Sequence, residues 1–355
     1  MDGGIAGDSD SSGMDRIARR KSSHVDIVLR ENIDYKKSAG FDMYELNHCA
    51  LPEVDFGDID TTVKFYSHKF SAPILVSSMT GGFDRAAKIN SAMAELCRER
   101  NIGMGVGSQR QALDNDDYLE SFRVVRKVGK GIFVMGNIGA AQVASGFALK
   151  RVRDIVDMVE ADALAIHLNA LQEFIQPEGE RNFRGVLKGI DKLVRVLDIP
   201  VIVKETGAGI GVREAKQLIG VGVSAIDVSG AGGTSWAAIE TVRRDDRRVG
   251  MKFWNWGIPT TDALIKINAL PSRRKFKLIS SGGVRDGLDV AKSVALGADL
   301  CAAAQPFLKA FNNGGTVGLI KEFDNWVEEL KGAMFLTGSR NLSMLKRAEI
   351  VRISS

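Results

Sequence analysis

Short apolar runs recur along the chain, and each is followed by glycine or polar residues and then by a segment with helical spacing. Runs of this length are typical of buried parallel strands. They cover residues 73–77, 102–107, 132–137, 163–167, 200–205, 224–229, 276–280 and 299–304. The segments between them repeat with the period of a helix packed on a sheet, as in the stripes Ile89, Met93, Leu96, Cys97 and Val152, Ile155, Val156, Val159.

Eight such alternations predict an α/β protein with a closed parallel barrel, the TIM (β/α)8 fold, rather than an open sheet. The barrel would take up residues 71–355. Residues 16–70 lack the rhythm and are expected to form an amino-terminal extension that folds over the barrel mouth. Residues 1–15, rich in glycine, aspartate and serine, are predicted to be a disordered tail. The long gap between residues 230 and 276 would hold an inserted loop and the sixth helix.

Composition narrows the function only modestly. The 355 residues carry a formal charge of +4, and the basic residues are dispersed, which does not indicate a nucleic-acid partner but leaves anionic small molecules open. Three widely spaced cysteines fit neither a disulfide framework nor a zinc site, which favours a reducing compartment. Because the sequence shows neither a membrane-spanning apolar stretch nor a secretory signal, it predicts a cytoplasmic protein without a membrane partner.

A cluster of polar residues follows the apolar run at 163–166. His167, Asn169, Gln172 and Glu173 would gather at the carboxyl end of a strand, where α/β proteins bind ligands. The alternative is an ordinary strand end followed by a polar helix start, with Glu173 near the positive end of the helix dipole. The segment by itself does not decide between them.

The loops after the last two predicted strands predict a phosphate site. They read Ser-Ser-Gly-Gly-Val-Arg at 280–285 and Ala-Ala-Ala-Gln at 302–305, with helix starts directly behind. Glycine lets backbone amides approach an anion, the helix dipole favours negative charge, and Arg285 adds a fork of donors. The alternative is a pair of tight turns that need glycine for their shape, but both loops fall where barrels usually bind phosphate.

Earlier glycine loops at 78–82, 105–110 and 229–234 are weak signals individually. Together they describe a wide polar rim suited to a large ligand with a flat ring and a phosphate tail. Asn137 and Lys204 end their own strands and would add an amide and a cation, although Lys204 could instead pair with Glu205 or another carboxylate inside the barrel. The run at 207–211 invites a dinucleotide-binding interpretation, which ranks low because its third glycine is out of place.

The extension contains two adjacent cations, Arg20 and Lys21, with His24 one turn further along a predicted helix. Adjacent cations repel one another unless they are solvated or paired with an anion, so a diphosphate is a natural partner. The alternative is an exposed basic patch with a surface histidine.

Taken in order, these motifs closely resemble those of the type 2 isopentenyl diphosphate isomerases, over nearly the whole chain after Arg16. The extension motif and the motif from His167 to Glu173 are together specific to that family, whereas the glycine loops are shared with other flavin barrels. Ala170 stands where proline is expected and Thr206 where a branched apolar residue is commoner, and neither change removes a functional group. The matching positions are Arg20, Lys21, His24, residues 78–82, 107–110, Asn137, residues 167–173, Lys204, Glu205 and residues 232–236, 256–260 and 281–285.

The resemblance implies a TIM barrel that binds FMN, Mg²⁺ and isopentenyl diphosphate, which it interconverts with dimethylallyl diphosphate. It implies that reduced FMN is the active form, that NADPH or another reductant supplies electrons, and that the protein is a homo-oligomer, a tetramer or octamer. Residues implied to contact FMN are Ser78, Met79, Thr80, Ser108, Asn137, Lys204, Ser229 and Thr234, with Gly282, Gly283, Arg285, Ala304 and Gln305 at its phosphate. Residues implied to contact the substrate are Arg20, Lys21, His24, Ser108, Gln109, Arg110, His167, Asn169 and Gln172. Gln172 and His24 would be catalytic, and Glu173 would hold the metal.

Two other functions are compatible with parts of this pattern. The glycine loops alone also fit an FMN-dependent barrel oxidoreductase of the hydroxy-acid oxidase type. That chemistry needs a base and usually a cationic clamp for a carboxylate, whereas the pair Arg20 and Lys21 suits a diphosphate. A flavin-binding protein without turnover is the third hypothesis, and the presence of both Gln172 and Glu173 argues against it.

Overall fold

The computed structural model describes residues 9–114, 116–146 and 148–353. Helices and strands are numbered in chain order. The strands are β1 Tyr44–Leu46, β2 Val63–Phe65, β3 His68–Phe70, β4 Ile74–Val76, β5 Gly103–Gly105, β6 Val134–Gly139, β7 Ala163–Leu168, β8 Val201–Glu205, β9 Ala225–Asp227, β10 Lys277–Ser281, β11 Leu300–Ala303 and β12 Ile350–Arg352. The helices are α1 Ser9–Arg30, α2 Ala86–Arg100, α3 Glu120–Val128, α4 Ala140–Ala144, α5 Leu149–Met158, α6 Ala170–Ile175, α7 Val186–Val196, α8 Val212–Gly220, α9 Trp236–Val242, α10 Arg248–Phe253, α11 Thr260–Asn268, α12 Gly287–Ala295, α13 Gln305–Leu336 and α14 Leu342–Leu345.

Strands β4 to β11 form the closed barrel. They pair in chain order, every pair is parallel, and β11 returns to β4. Each of the eight predicted strands overlaps one of these strands, so the TIM-barrel prediction is confirmed. A closed barrel also excludes the dinucleotide-fold interpretation of residues 207–211, because that fold is an open sheet.

The helices pack on the barrel through the stripes that the sequence indicates. In α2, Ile89, Met93, Leu96 and Cys97 are all buried. Asp286 caps α12 by accepting a hydrogen bond from the backbone N–H of Asp289. The helical region of α13 is interrupted at Gly315, whose φ of 60° and ψ of −155° are not helical. Within the described ranges, no helix combines the length and the hydropathy that crossing a membrane requires.

The extension contributes to both ends of the barrel. Helix α1 lies over the carboxyl ends of the strands, as expected. The hairpin of β2 and β3 lies at the opposite end, where Phe65 and Phe70 are buried with ring centroids 5.3 and 5.9 Å from that of Phe133. Within the extension, α1 therefore lies at the barrel mouth, whereas the aromatic rings of the hairpin cover the amino ends of the strands. Residues 1–8 of the predicted tail lie outside the described residues, and residues 9–15 continue α1.

The gap between residues 230 and 276 holds two short helices, α9 and α10, before the sixth barrel helix α11. This insertion binds the segment that follows α1. The indole N–H of Trp254 donates to the carbonyl of Asp34 at 3.0 Å, and the hydroxyl of Tyr35 donates to the carbonyl of Trp256 at 3.0 Å. The insertion thus fixes the extension beside the barrel mouth.

Candidate active site

The carboxyl ends of the barrel strands and helix α1 enclose a cavity of about 330 Å³. Its volume is in the range of small-molecule sites, about 300–1,000 Å³. Most of the predicted site residues line it, although they come from segments far apart in the sequence. These are Arg20, Lys21, His24, Ser78, Met79, Ser108, Arg110, Asn137, His167, Asn169, Gln172, Glu173, Lys204, Ser229, Thr234, Gly282, Gly283, Arg285, Ala304 and Gln305.

Two predicted contact residues, Thr80 and Gln109, have side chains behind the cavity wall. The Thr80 hydroxyl donates to the side-chain carbonyl of Asn90. The Gln109 amide donates to the carbonyl of Ile155 at 2.9 Å and accepts from the backbone N–H of Asn137 at 2.9 Å. Both side chains are buried and hold the loops in shape, and the contacts of these residues with FMN and substrate stay predictions.

The imidazole of His167 is held in one neutral form. Its Nδ1 lies 2.7 Å from the side-chain carbonyl of Asn137, whose amide nitrogen donates to the carbonyl of Val106 at 3.0 Å. The Asn137 oxygen therefore accepts a proton from Nδ1, and Nε2 is left as an acceptor. Burial, together with the charges of Lys204 and Lys21, lowers the pKa of His167 to about 3.

Glu173 and Asn169 bring oxygen atoms together at the start of α6. The amide nitrogen of Asn169 donates to Oε1 of Glu173 at 2.8 Å, and the backbone N–H of Glu180 donates to Oε2 at 2.7 Å. The side-chain oxygen of Asn169 is buried and has no hydrogen-bond partner among the described residues. The motif from His167 to Glu173 thus faces the cavity rather than forming an ordinary exposed helix start.

Lys204 lies at the cavity with its ammonium group donating to the carbonyl of Glu205 at 2.6 Å. The Glu205 carboxylate turns away and accepts the backbone N–H groups of the next three residues, while burial raises its pKa to about 7. The strand register places Lys204 beside Asp227. Oδ2 of Asp227 is buried without a hydrogen-bond partner within the described part of the chain, and burial raises the pKa of this carboxyl. Lys204 therefore lines the cavity and also has a carboxyl group beside it in the barrel.

Two cations of α1, Arg20 and Lys21, line the cavity and do not lie on an exposed patch. The ammonium group of Lys21 donates to the carbonyl of Ser108 at 3.0 Å. Its burial, with the charge of Arg20, lowers the pKa of Lys21 to about 7. Arg20 lies 3.5 Å from the carboxylate of Glu178, and its Nε is buried without a hydrogen-bond partner in the described ranges.

Glu240 is a site residue that the sequence analysis missed. It is fully buried on α9, and its Oε1 lies 2.9 Å from Nε2 of His24 and accepts from the amide of Gln172 at 3.0 Å. Arg243 bonds its other oxygen and also contacts Glu178 at 3.0 Å. The sequence did contain a signal for it. Glu240 is the only carboxylate in the otherwise mostly apolar helix Trp-Ala-Ala-Ile-Glu-Thr-Val, and a carboxylate that is buried with such a helix needs partners for its charge.

The charges of this network follow from its contacts. Burial by itself would raise the pKa of Glu240, but contact with His24 and the charge of Arg243 outweigh it and lower the pKa to about 2. Burial lowers the pKa of His24 against the opposing effect of Glu240. His24 also packs edge-on against Trp236, with ring centroids 5.1 Å apart. An ionised Glu240 therefore positions both residues that the sequence predicts to be catalytic, His24 and Gln172.

We expect Glu240→Gln to lower the free energy of unfolding by about 2 kcal/mol, because the buried side chain loses the charge that strengthens its contacts with Gln172 and Arg243, while Arg243 keeps its pair with Glu178. Chemical denaturation followed by circular dichroism measures the change. Asp262→Asn is the matched control, since the exposed pair of Asp262 with Lys266 at 3.5 Å should contribute less than about 0.5 kcal/mol. Equal effects of the two substitutions would show that the buried network does not stabilise the fold.

Solved structures with similar folds have low sequence identity to this chain. A lactate oxidase from Pediococcus acidilactici has a TM-score of 0.71 and 15% identity, and the match covers 100% of this chain and 97% of that one. A mandelate oxidase variant has a TM-score of 0.67 and 17% identity, over 96% of this chain and 100% of that one. At this identity the likeness shows the fold alone.

Sequence relatives are far more similar. The family model of FMN-dependent dehydrogenases matches residues 139–352. Proteins named isopentenyl-diphosphate delta-isomerase are 43% identical in Chlorobaculum parvum, over 94% of this chain and 97% of that protein, and 44% identical in Cronobacter sakazakii, over 95% and 97%. The relative of the same name in Pyrococcus furiosus is 41% identical, over 95% of this chain and 87% of that protein. The chain therefore belongs to the isopentenyl-diphosphate delta-isomerases of type 2, which are built on the barrel of the FMN-dependent dehydrogenases.

Proposed function

We propose that the protein interconverts isopentenyl diphosphate and dimethylallyl diphosphate with the help of reduced FMN and Mg²⁺. The observation that carries the proposal is that one cavity unites three separate motifs. These are the cations of α1, the cluster from His167 to Glu173 and the glycine loop that ends at Arg285. The names of the sequence relatives favour this reaction over hydroxy-acid oxidation, because the oxidases resemble this chain in fold but not in sequence.

The residues at the glycine loops fit the phosphate end of FMN. A Cβ atom on Gly233 would lie 2.5 Å from the backbone nitrogen of Gly283, so the two loops meet backbone to backbone and present amides without side chains between them. Helix α13 begins at Gln305 directly behind, and its dipole favours an anion there. Ser78 supplies a buried hydroxyl oxygen without a hydrogen-bond partner in the described chain. The ring would then lie among Ser78, Met79, Ser108, Asn137, Lys204, Ser229 and Thr234.

The donor set also fits Mg²⁺. The Glu173 carboxylate and the unpartnered oxygen of Asn169 are hard ligands, which this ion prefers. Within the described residues, no group of three or more histidine, cysteine or acidic side chains could hold a metal. Mg²⁺ keeps several waters and commonly binds through one or two carboxylates plus phosphate oxygens, so Glu173 with the substrate diphosphate would suffice.

Moving the double bond requires a proton to be added at one carbon and removed from another, and the cavity side chains are poor acids. His167 is held neutral, burial lowers the pKa of His24, and Gln172 offers an amide. Reduced FMN supplies the acid and base chemistry when it is bound, and the protein orients the reactants. We assign the diphosphate to Arg20, Lys21 and Arg110. Gln172, oriented by Glu240, would lie near the hydrocarbon, and His24 would border it.

The direct test is an anaerobic incubation of the protein with FMN, a reductant such as NADPH, Mg²⁺ and isopentenyl diphosphate, in which dimethylallyl diphosphate is measured. We expect product in the complete mixture and little when Mg²⁺ or FMN is left out. Absence of product in the complete mixture, together with flavin reduction by a hydroxy acid, would favour the oxidase alternative. The cytoplasmic location, the physiological reductant and assembly as a tetramer or octamer stay predictions.

Substrate affinity should fall as the pH rises through about 7. Lys21 is protonated below its pKa of about 7 and loses its charge above it, so the free protein attracts a diphosphate less strongly at alkaline pH. We expect the affinity for isopentenyl diphosphate to fall about tenfold between the acidic and the alkaline end of the titrated range, which is roughly the contribution of one charged contact. Calorimetric titration with isopentenyl diphosphate between pH 6 and 9, with oxidised FMN so that no turnover occurs, measures it.

Lys21→Arg is the matched variant, because a guanidinium stays charged throughout this range. Ionisation of the substrate itself affects both proteins equally. A profile for Lys21→Arg as steep as that of the unchanged protein would contradict the assignment of Lys21 to the diphosphate.

A further inference from the structure

Asp34 lies at the phosphate loop, although neither the motifs nor the family resemblance points to it. Its Oδ1 accepts a hydrogen bond from the side-chain amide of Gln305 at 3.1 Å, and its Oδ2 lies 3.2 Å from the guanidinium of Arg285. These two side chains are the donors assigned above to the phosphate of FMN. One carboxylate thus engages both of them.

The backbone holds Asp34 firmly in this place. The N–H of Tyr35 donates to the carbonyl of Gly233 at 2.8 Å, and the N–H of Ser235 donates to the carbonyl of Ile33 at 2.9 Å. The carbonyl of Asp34 itself accepts from Trp254. Its side chain is 24% exposed, so the carboxylate is confined to the neighbourhood of the anion site.

A phosphate at this site meets a competitor of like charge. Carboxylate and phosphate are both acceptors, and both favour the planar fork of an arginine. A phosphate that approaches Arg285 must either displace the Asp34 carboxylate or lie beside it against charge repulsion. The pairing with Asp34 also offsets the positive charge of Arg285 before any phosphate arrives.

We propose that Asp34 competes with the FMN phosphate for Arg285 and Gln305 and thereby sets how tightly the protein binds FMN. The proposal rests on the proposed phosphate site of FMN. It concerns the phosphate alone, so riboflavin, which has the same ring system and no phosphate, escapes the competition. If Asp34 instead orients Arg285 for the phosphate, replacing Asp34 should weaken FMN binding rather than strengthen it.

The test compares FMN and riboflavin binding to the full chain by flavin fluorescence. We expect Asp34→Asn to tighten FMN binding about tenfold, the effect of one like charge removed, and to change riboflavin binding less than about twofold. The gain should shrink at high salt, because exposed charges are screened. Asp42→Asn is the control, since Asp42 lies in the same extension but bonds Ser38 rather than Arg285 or Gln305. Asp34→Ser should also tighten FMN binding, and it can replace Asp34→Asn in the test if the asparagine variant folds poorly.

An unchanged or weaker FMN affinity in both variants would overturn the proposal, and so would an equal gain for FMN and riboflavin. Arg285→Ala separates this failure from that of the phosphate site. If Arg285→Ala weakens FMN binding but not riboflavin binding while the Asp34 variants change nothing, the phosphate site stands and the role of Asp34 is refuted. If Arg285→Ala leaves both affinities unchanged, the phosphate site is wrong and the proposal for Asp34 falls with it.

Discussion

With oxidised FMN and no reductant, isopentenyl diphosphate should be converted at less than roughly one-thousandth of the rate seen with reduced FMN, a loss at the scale of general acid–base catalysis. The physical reason is the lack of a suitable acid in the cavity. The pKa of His167 is lowered to about 3, which keeps that imidazole neutral near pH 7, and burial lowers the pKa of His24 below its usual range. Gln172 is an amide bound to an ionised Glu240. None of these groups protonates an unactivated alkene readily.

The measurement is product formation under anaerobic conditions, with the flavin spectrum recorded in the same sample. Adding a reductant to the inactive sample should restore the rate, which controls for loss of protein. Equal rates with oxidised and reduced FMN would refute the assignment of acid–base work to the cofactor and would return it to a side chain.

Replacing Glu173 with glutamine should lower turnover about a hundredfold at limiting Mg²⁺ and raise the Mg²⁺ concentration needed for half-maximal rate. The substitution keeps the shape of the side chain, but its neutral amide is a far weaker ligand for a hard cation. The contact of Asn169 with this residue gives the change a second effect, since the amide of Asn169 loses a charged acceptor.

The rate is measured as a function of Mg²⁺ concentration, together with the flavin spectrum. Glu120→Gln on α3 is the control, because its carboxylate is exposed, pairs with Lys127 at 2.7 Å and does not line the cavity. We expect that control to change the rate less than about threefold. Loss of bound flavin in Glu173→Gln, or an unaltered Mg²⁺ dependence, would mean that Glu173 serves another ligand.

The barrel was predictable because each of its strands is a local apolar run, and eight such runs in alternation with helices have one common closed arrangement. That topology also placed the loops of the site on one face. The hairpin of β2 and β3 escaped prediction, because its strands have three residues each and its apolar signal is limited to Val63, Phe65 and Phe70. No periodic pattern indicates which end of a barrel such a short element covers.

Side-chain direction within the site loops was beyond the sequence. Thr80 and Gln109 belong to ligand-binding motifs, yet they face Asn90 and Ile155, which lie in neighbouring helices. Glu240 was missed for a related reason. Its partners His24 and Gln172 lie 216 and 68 residues away, so only the folded chain shows that one carboxylate serves both.

The pairing of β1 with β12 links the segment that follows α1 to a strand on the far side of the barrel sequence. Glu45 lies opposite Val351, and all eight barrel strands lie between these two residues along the chain. Contacts of such large sequence separation carry a high loop-closure entropy and tend to form late in folding. We therefore expect this segment to dock only after the barrel strands have paired.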